Sequence, residues 1–280
     1  LTVSAGGSLG GILVAIVAPL VFDAYYELGI GLVVVGVLAA VCFRALGRVP
    51  QYASLAVLFA VAGGVAYASF TYHKDVRVSS RSFYGVMRVK EYGAPGDENH
   101  LRRLVHGAIM HGEQYMTGPW RAFITSYYQE TAGIGLAIRA KQAAGAVRVG
   151  VIGLGTGTLA AYGRSGDVFR FYDIDPRVVD VARTEFTYLG DSAAKIEVAL
   201  GDARLALERE PAREFDVLAV DAFSGDAIPV HLITREALRV YLRQVKADGI
   251  VAFHVSNRFL NLVPVVARLA KEEGAHAVLV

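Results

Sequence analysis

Gly153, Gly155 and Gly157 stand at alternate positions in VRVGVIGLGTGTLA (147–160), straight after a run of β-branched residues, and Asp173 ends the next apolar run 20 residues beyond Gly153. Glycine lets a backbone turn sharply and approach a ligand that a Cβ would exclude. A carboxylate at that separation accepts hydrogen bonds from ribose hydroxyls, so the spacing predicts a nucleoside-binding βαβ unit with a helix after the glycines. Further carboxylates follow the later apolar runs. Asp175, directly before Pro176, reads as a helix cap. Asp202, in Gly201-Asp202-Ala203, reads either as a cap or as a ligand contact. Asp221, inside VDAFSGDAIP, ends an apolar strand, where a carboxylate is costly to desolvate without a partner or a task, and it reads as functional.

Other chemistries find less support. His106 and His111 are five residues apart and on a regular strand would point to opposite faces, and no Cys or carboxylate cluster stands at ligand spacing, so no metal is expected. His111 reads as an active-site hydrogen bonder or as a structural histidine, and His254 borders the cleft at the end of a strand. Ser224 lacks the G-x-S-x-G turn of a nucleophile elbow. The single Cys42 excludes an internal disulfide framework. A net charge of +2, with no basic stripe interleaved with aromatics, gives no argument for nucleic acid.

The elements that must hold these residues follow from the hydropathy pattern. Val147–Gly153, Val168–Ile174, Ile196–Leu200, Phe215–Ala222, Ile250–Val255 and His276–Val280 read as six strands separated by helical stretches. That alternation predicts an α/β fold, a doubly wound Rossmann-like parallel sheet whose ligands collect beyond the carboxyl ends of the strands. A helix is expected over 130–142, stopped by Gly145. From Arg81 to about Tyr128 the alternation in SFYGVMRVKEY and LRRLVHGAIMHGEQYM predicts a small antiparallel β element.

The front of the chain is of another kind. Mean hydropathy is +0.41 and charged residues make up 19%, an apolar excess concentrated before residue 74. Leu1–Phe22, Leu28–Phe43 and Gln51–His73 predict about three transmembrane helices and a lipid bilayer as partner. Gly6, Gly7, Gly10 and Gly11 form small-xxx-small pairs suited to close helix contact, or are simply the glycines common in membrane helices. Arg44 and Arg48 on one side, against Lys74, Arg77 and Arg81 after the third span, favour a cytoplasmic large domain. The expected boundaries are 1–74 membrane, 75–129 small β domain and 130–280 nucleoside-binding catalytic domain. The opening at Leu1 and the stop at Val280, within an expected strand, suggest a piece with membrane helices upstream and sheet truncated at the C-terminus.

From about residue 80 to 280 the chain resembles the spermidine synthases, and with its apolar front it looks like the bacterial membrane-fused spermidine synthase-like proteins of the inner membrane. The resemblance implies a small β domain before a methyltransferase-type Rossmann domain, and a polyamine aminopropyltransferase. Such an enzyme uses decarboxylated S-adenosylmethionine, or S-adenosylmethionine, as co-substrate, takes a small amine, and forms a homodimer. It implies that Gly153, Gly155 and Gly157 line the nucleoside, that Asp173 holds the ribose, that Asp202 faces the adenine amino group, and that Asp221 is the catalytic carboxylate. HGAIMH, from His106 to His111, resembles the family's HE-x-x-x-H element, and Tyr127 and Tyr128 resemble aromatics bordering the substrate channel.

The departures from the family pattern bear on the reaction. The family's GGGDGG loop has an Asp that contacts the donor's amino group; here that cofactor-binding position is Thr156. The HE pair is His106-Gly107, and the second Asp after the catalytic one is Ser224, with Asp226 as its candidate replacement. These losses weaken the attraction for a dicationic amine. They leave open methyl transfer, or a lyase or cyclase reaction of S-adenosylmethionine, and a non-catalytic membrane-tethered nucleoside sensor.

Overall fold

The computed structural model describes residues 1–223 and 228–280, and the chain divides into two compact units, Leu1–Arg88 and Val89–Val280.

In the first unit α1 (Thr2–Ile12) passes through a π-helical stretch, Leu13–Val17, into α2 (Ala18–Val21). The wide turn lies just before Pro19, which has no N–H for the helical ladder. Two longer helices follow, α3 (Tyr26–Phe43) and α4 (Arg48–His73), and then strand β1 (Val76–Ser82). Three helical stretches are long and apolar enough to cross a membrane: Thr2–Val21, Tyr26–Leu46 and Arg48–His73, of 20, 21 and 26 residues. They expose Ile16, Val35, Leu38, Phe59 and Phe70, a surface suited to lipid and costly in water. A Cβ at Gly29 would lie 2.8 Å from Val65, and one at Gly36 2.9 Å from Leu58, so these glycines let α3 and α4 approach closely. Gly6, Gly7, Gly10 and Gly11 meet no described atom within 4 Å of a built Cβ. At the polar end Tyr26 Oη lies 2.8 Å from His73 Nε2, and Arg81 of β1 donates to both carboxylate oxygens of Glu27.

Strand β2 (Gly85–Tyr92) crosses the boundary between the units. In the second unit β3 (Leu101–His106) pairs antiparallel with β4 (Ile109–Tyr115), Leu104 opposite Gly112 but Val105 opposite Met110. That register shift makes His111 the extra residue of a β-bulge. After α5 (Gly133–Gln142) come β5 (Arg148–Ile152), β6 (Val168–Asp173), α6 (Pro176–Thr184), α7 (Tyr188–Asp191), β7 (Lys195–Leu200) and α8 (Ala203–Arg209). The remaining elements are β8 (Phe215–Val220), α9 (Arg235–Gln244), β9 (Val245–Phe253) and α10 (Val263–Glu272).

Among the described residues β5 to β9 form a parallel sheet in the order β7-β6-β5-β8-β9. All six residues of β8 are buried. Val217 and Ala219 face the core that includes Ile138 of α5 and Ala182 of α6. Leu218 and Val220 face the opposite core, with Leu207 of α8 and Tyr241 of α9. A strand covered on both faces must be apolar on both, and each large buried side chain contributes about 1.5–3 kcal/mol.

The pattern misleads in two places. The segment after the glycines is a short 3₁₀ turn, Thr158–Tyr162, rather than a longer helix. The chain turns away at Gly163, where a Cβ would fall on Ser192 Oγ and Ala194. His276–Val280 forms no strand: its apolar pattern suits one, but a strand needs backbone partners, and among the described residues none pairs with it.

Candidate active site

The chain passes outward from β5 through β6 to β7, then returns to the other side of β5 with β8 and β9. The strand order therefore reverses between β5 and β8, and the carboxyl ends of these two strands flank the crevice where such sheets hold ligands. The loop after β5 begins at that point.

Gly153 has φ +97°, Gly155 +54° and Gly157 +80°, all in the region that side chains disfavour. What a Cβ would meet at each is protein. At Gly153 it would fall on the Asp221 carbonyl oxygen, at Gly155 it would lie 2.8 Å from the His111 carbonyl oxygen, and at Gly157 2.8 Å from Leu189. The glycines thus seat the loop against the end of β8, the bulge of β4 and α7. Thr156 is buried, its hydroxyl 2.7 Å from that of Thr158, and a Cβ on Gly112 of β4 would collide with it.

Asp173 closes β6 beside the loop. Its Oδ2 accepts from the Leu154 N–H and its Oδ1 from the Asp175 N–H, each at 2.9 Å. Burial pushes its carboxyl up to about 6 although these N–H groups pull it down. Asp175 caps α6 by accepting from the Arg177 N–H at 2.9 Å, the role its place before Pro176 predicts. The Gly201 N–H donates to the Asp173 carbonyl, which brings the end of β7 alongside. There Asp202 both caps α8, accepting from the Leu205 N–H at 2.9 Å, and lies 2.8 Å from His231 Nε2. Asp202 is thus a helix cap, and its second carboxylate oxygen faces a histidine.

Asp221 follows β8 with its side chain 8% exposed. Tyr128 Oη donates to its Oδ2, and His254 Nδ1 lies 2.6 Å from its Oδ1. Tyr127 packs on both neighbours, its ring centroid 4.4 Å from that of Tyr128 and 4.3 Å from that of His254. Burial and the nearby Asp221 charge raise both tyrosines above the ordinary phenol range, which keeps them protonated donors. Their segment is anchored from several sides. Tyr162 Oη donates to the Tyr128 carbonyl at 2.5 Å, Thr125 Oγ1 to the Glu113 carbonyl at 2.5 Å, and Tyr188 Oη to the Phe123 carbonyl at 2.8 Å. Ser126, which opens the turn, holds a φ of +61° unusual for a side chain.

The structure thus joins Asp221, Tyr127, Tyr128 and Gly153, and sets Asp173 and Asp202 on neighbouring strand ends. His106 and His111 do not diverge as a regular strand would place them: the tight turn and the bulge bring their rings to 5.6 Å. His111 reaches the glycine loop through its backbone. Ser224 and Asp226 lie outside the described residues. Sequence reasoning placed His254 only at the cleft's border and missed His231, because no spacing announces either pairing with a carboxylate.

No family model matches the chain. A polyamine aminopropyltransferase of Vibrio vulnificus (strain CMCP6) is 30% identical over 119 residues, covering 40% of this chain and 38% of that relative. The chain therefore matches under two-fifths of the length of this curated relative. A solved spermidine synthase in complex with the transition state analogue AdoDATO superposes with a TM-score of 0.50 and 20% identity, over 71% of this chain and 64% of that one. In fold, this chain is similar to the spermidine synthases. A probable spermidine synthase from Corynebacterium glutamicum ATCC 13032 gives the same TM-score at 18% identity, over 63% of this chain and 62% of that one. The likeness is one of fold, and this chain's own fold has an antiparallel β3–β4 hairpin ahead of a parallel Rossmann-like sheet.

Proposed function

We propose that this chain is an aminopropyltransferase of polyamine biosynthesis, moving an aminopropyl group from decarboxylated S-adenosylmethionine to an amine with release of methylthioadenosine. The observation that carries this reading is Asp221, a nearly buried carboxylate at the switch point, gripped by Tyr128 and His254 one loop away from Asp173. The residues suit the donor's nucleoside. Asp173 keeps lone pairs free for ribose hydroxyls beyond the two N–H groups it accepts from, and Asp202 beside it presents a carboxylate to the adenine amino group. Tyr127 and Tyr128 offer ring faces to a sulfonium.

An alkylammonium has a pKa of about 10.4, so presenting it as a free amine at neutral pH costs about 4–5 kcal/mol. A fixed carboxylate at the site lowers that barrier by helping to orient the reacting groups and by stabilising the positive charge as the proton leaves the nitrogen. His106, His111, Ser224 and Asp226 are the remaining candidates for amine contact. Thr156 favours a second reading: a neutral buried hydroxyl stands where the family has the carboxylate that contacts the donor's amino group. S-adenosylmethionine itself would then be the donor, for methyl transfer or for an elimination or cyclisation. In either case we place the chain in a bacterial inner membrane with residues 130–280 in the cytoplasm, as a homodimer, and alkaline carbonate extraction should leave it with the membranes.

The test is incubation of the detergent-solubilised chain with either donor, with and without a set of diamines, reading products by mass spectrometry. Methylthioadenosine formed only with an amine supports aminopropyl transfer, and D221N should then bind nucleoside but lose turnover. Adenosylhomocysteine would make the protein a methyltransferase. Binding without any product would leave the sensor reading.

A further inference from the structure

Both oxygens of Asp221 are engaged, one by Tyr128 and one by His254. An ionised carboxylate only accepts hydrogen bonds, so the 2.6 Å contact puts a hydrogen on His254 Nδ1 and leaves the lone pair of the neutral ring on Nε2. Among the described residues no hydrogen bond occupies that nitrogen. The imidazole is also the outer member of the pair, its side chain 19% exposed against 8% for Asp221. Tyr127 and Phe223, with ring centroids 4.3 and 5.0 Å away, hold its plane from two directions.

We propose that His254 takes the proton of the acceptor nitrogen through Nε2, with Asp221 as the positioning carboxylate behind it. This rests on the transfer reaction proposed above and assigns its proton. As a neutral amine attacks, its lone pair forms the new N–C bond at the methylene beside the sulfonium. The C–S bond breaks with its electron pair left on sulfur, and methylthioadenosine leaves uncharged. The N–H proton passes to Nε2, and the imidazolium so formed is held against the Asp221 charge. An imidazole, with an ordinary pKa of about 6.5, stands about 2.6 units nearer to an alkylammonium than a carboxylate does, which makes the transfer about 400-fold less uphill.

The full chain in detergent, with donor and amine, tests this. H254Q keeps an amide that can donate to Asp221 but offers no basic nitrogen. Its kcat should fall at least 100-fold while methylthioadenosine affinity stays within threefold, and H254A should fall as far and regain at least tenfold with added imidazole. A kcat for H254Q within threefold of the parent overturns the proposal. A second measurement needs no turnover: diethyl pyrocarbonate modification of His254, followed by peptide mass. Asp221 makes Nε2 more nucleophilic, so D221N should slow modification of His254 at least threefold, and an unchanged rate overturns the pairing. If the parent consumes no amine, the transfer reading fails by itself, and the modification rate still decides whether His254 and Asp221 act together.

Discussion

Gly153 and Asp221 meet backbone to backbone: a Cβ on residue 153 would land on the Asp221 carbonyl oxygen. The loop expected to hold the nucleoside is thereby seated on the residue expected to serve the reacting amine, and neither can shift alone. Gly153→Ala must both tolerate a φ of +97° and push these backbones apart. It should destabilise the fold by about 2 kcal/mol or more and weaken methylthioadenosine binding. Denaturant unfolding and calorimetry check both effects, and an alanine variant with parental stability would show that the contact is slack.

Tyr128→Phe removes the hydroxyl that donates to Asp221 Oδ2 and little else. A hydrogen bond to a charged group is worth about 1.5–3 kcal/mol, so turnover should drop by about one to two orders of magnitude. Nucleoside affinity should be nearly unchanged, because Tyr128 contacts Asp221 rather than Asp173. Equal losses in turnover and nucleoside binding would instead mark Tyr128 as a purely structural residue.

Asp173 should make nucleoside binding depend on pH. Burial raises its carboxyl to about 6, so in the free protein it takes up a proton as pH falls through that value. The ionised form accepts more strongly from the ribose hydroxyls while it also holds the Leu154 and Asp175 N–H groups. Affinity should therefore be level above pH 6 and fall by up to about tenfold per unit below it. D173N should bind weakly at every pH and lose this dependence. Calorimetry from pH 5 to 8 gives the answer; a level profile for the parent would remove Asp173 from the ribose site.

Asp202 and His231 offer a test of base recognition. A carboxylate facing the adenine amino group should favour methylthioadenosine over methylthioinosine, which carries an oxygen there, by about tenfold or more. H231A should narrow that preference without unfolding α8, because the Leu205 N–H bond persists. D202A should abolish the preference and also remove the helix cap, at about 1 kcal/mol. Equal affinity of the parent for the two nucleosides would leave Asp202 as a cap only.

What was readable in the sequence was what short-range spacing decides. Hydropathy alone marked the apolar helices, alternation of apolar runs marked the five parallel strands, and the place of Asp175 before Pro176 marked a cap. The glycine loop and Asp173 belong here too, since one strand–loop–strand passage carries both. Tertiary structure decided the rest, because sheet order and register are settled by packing between segments far apart in the chain. Asp221 and His254 are 33 residues apart, and Asp202 and His231 are 29 apart; they meet only because their strand ends and loops converge on one edge of the sheet. His106 and His111 converge because one bulge shifts the β3–β4 register, which reverses the side on which a residue points. His276–Val280 has a strand's pattern but, among the described residues, no strand partner. A residue's neighbours along the chain set its local geometry, but which carboxylate faces which imidazole is a property of the packed sheet.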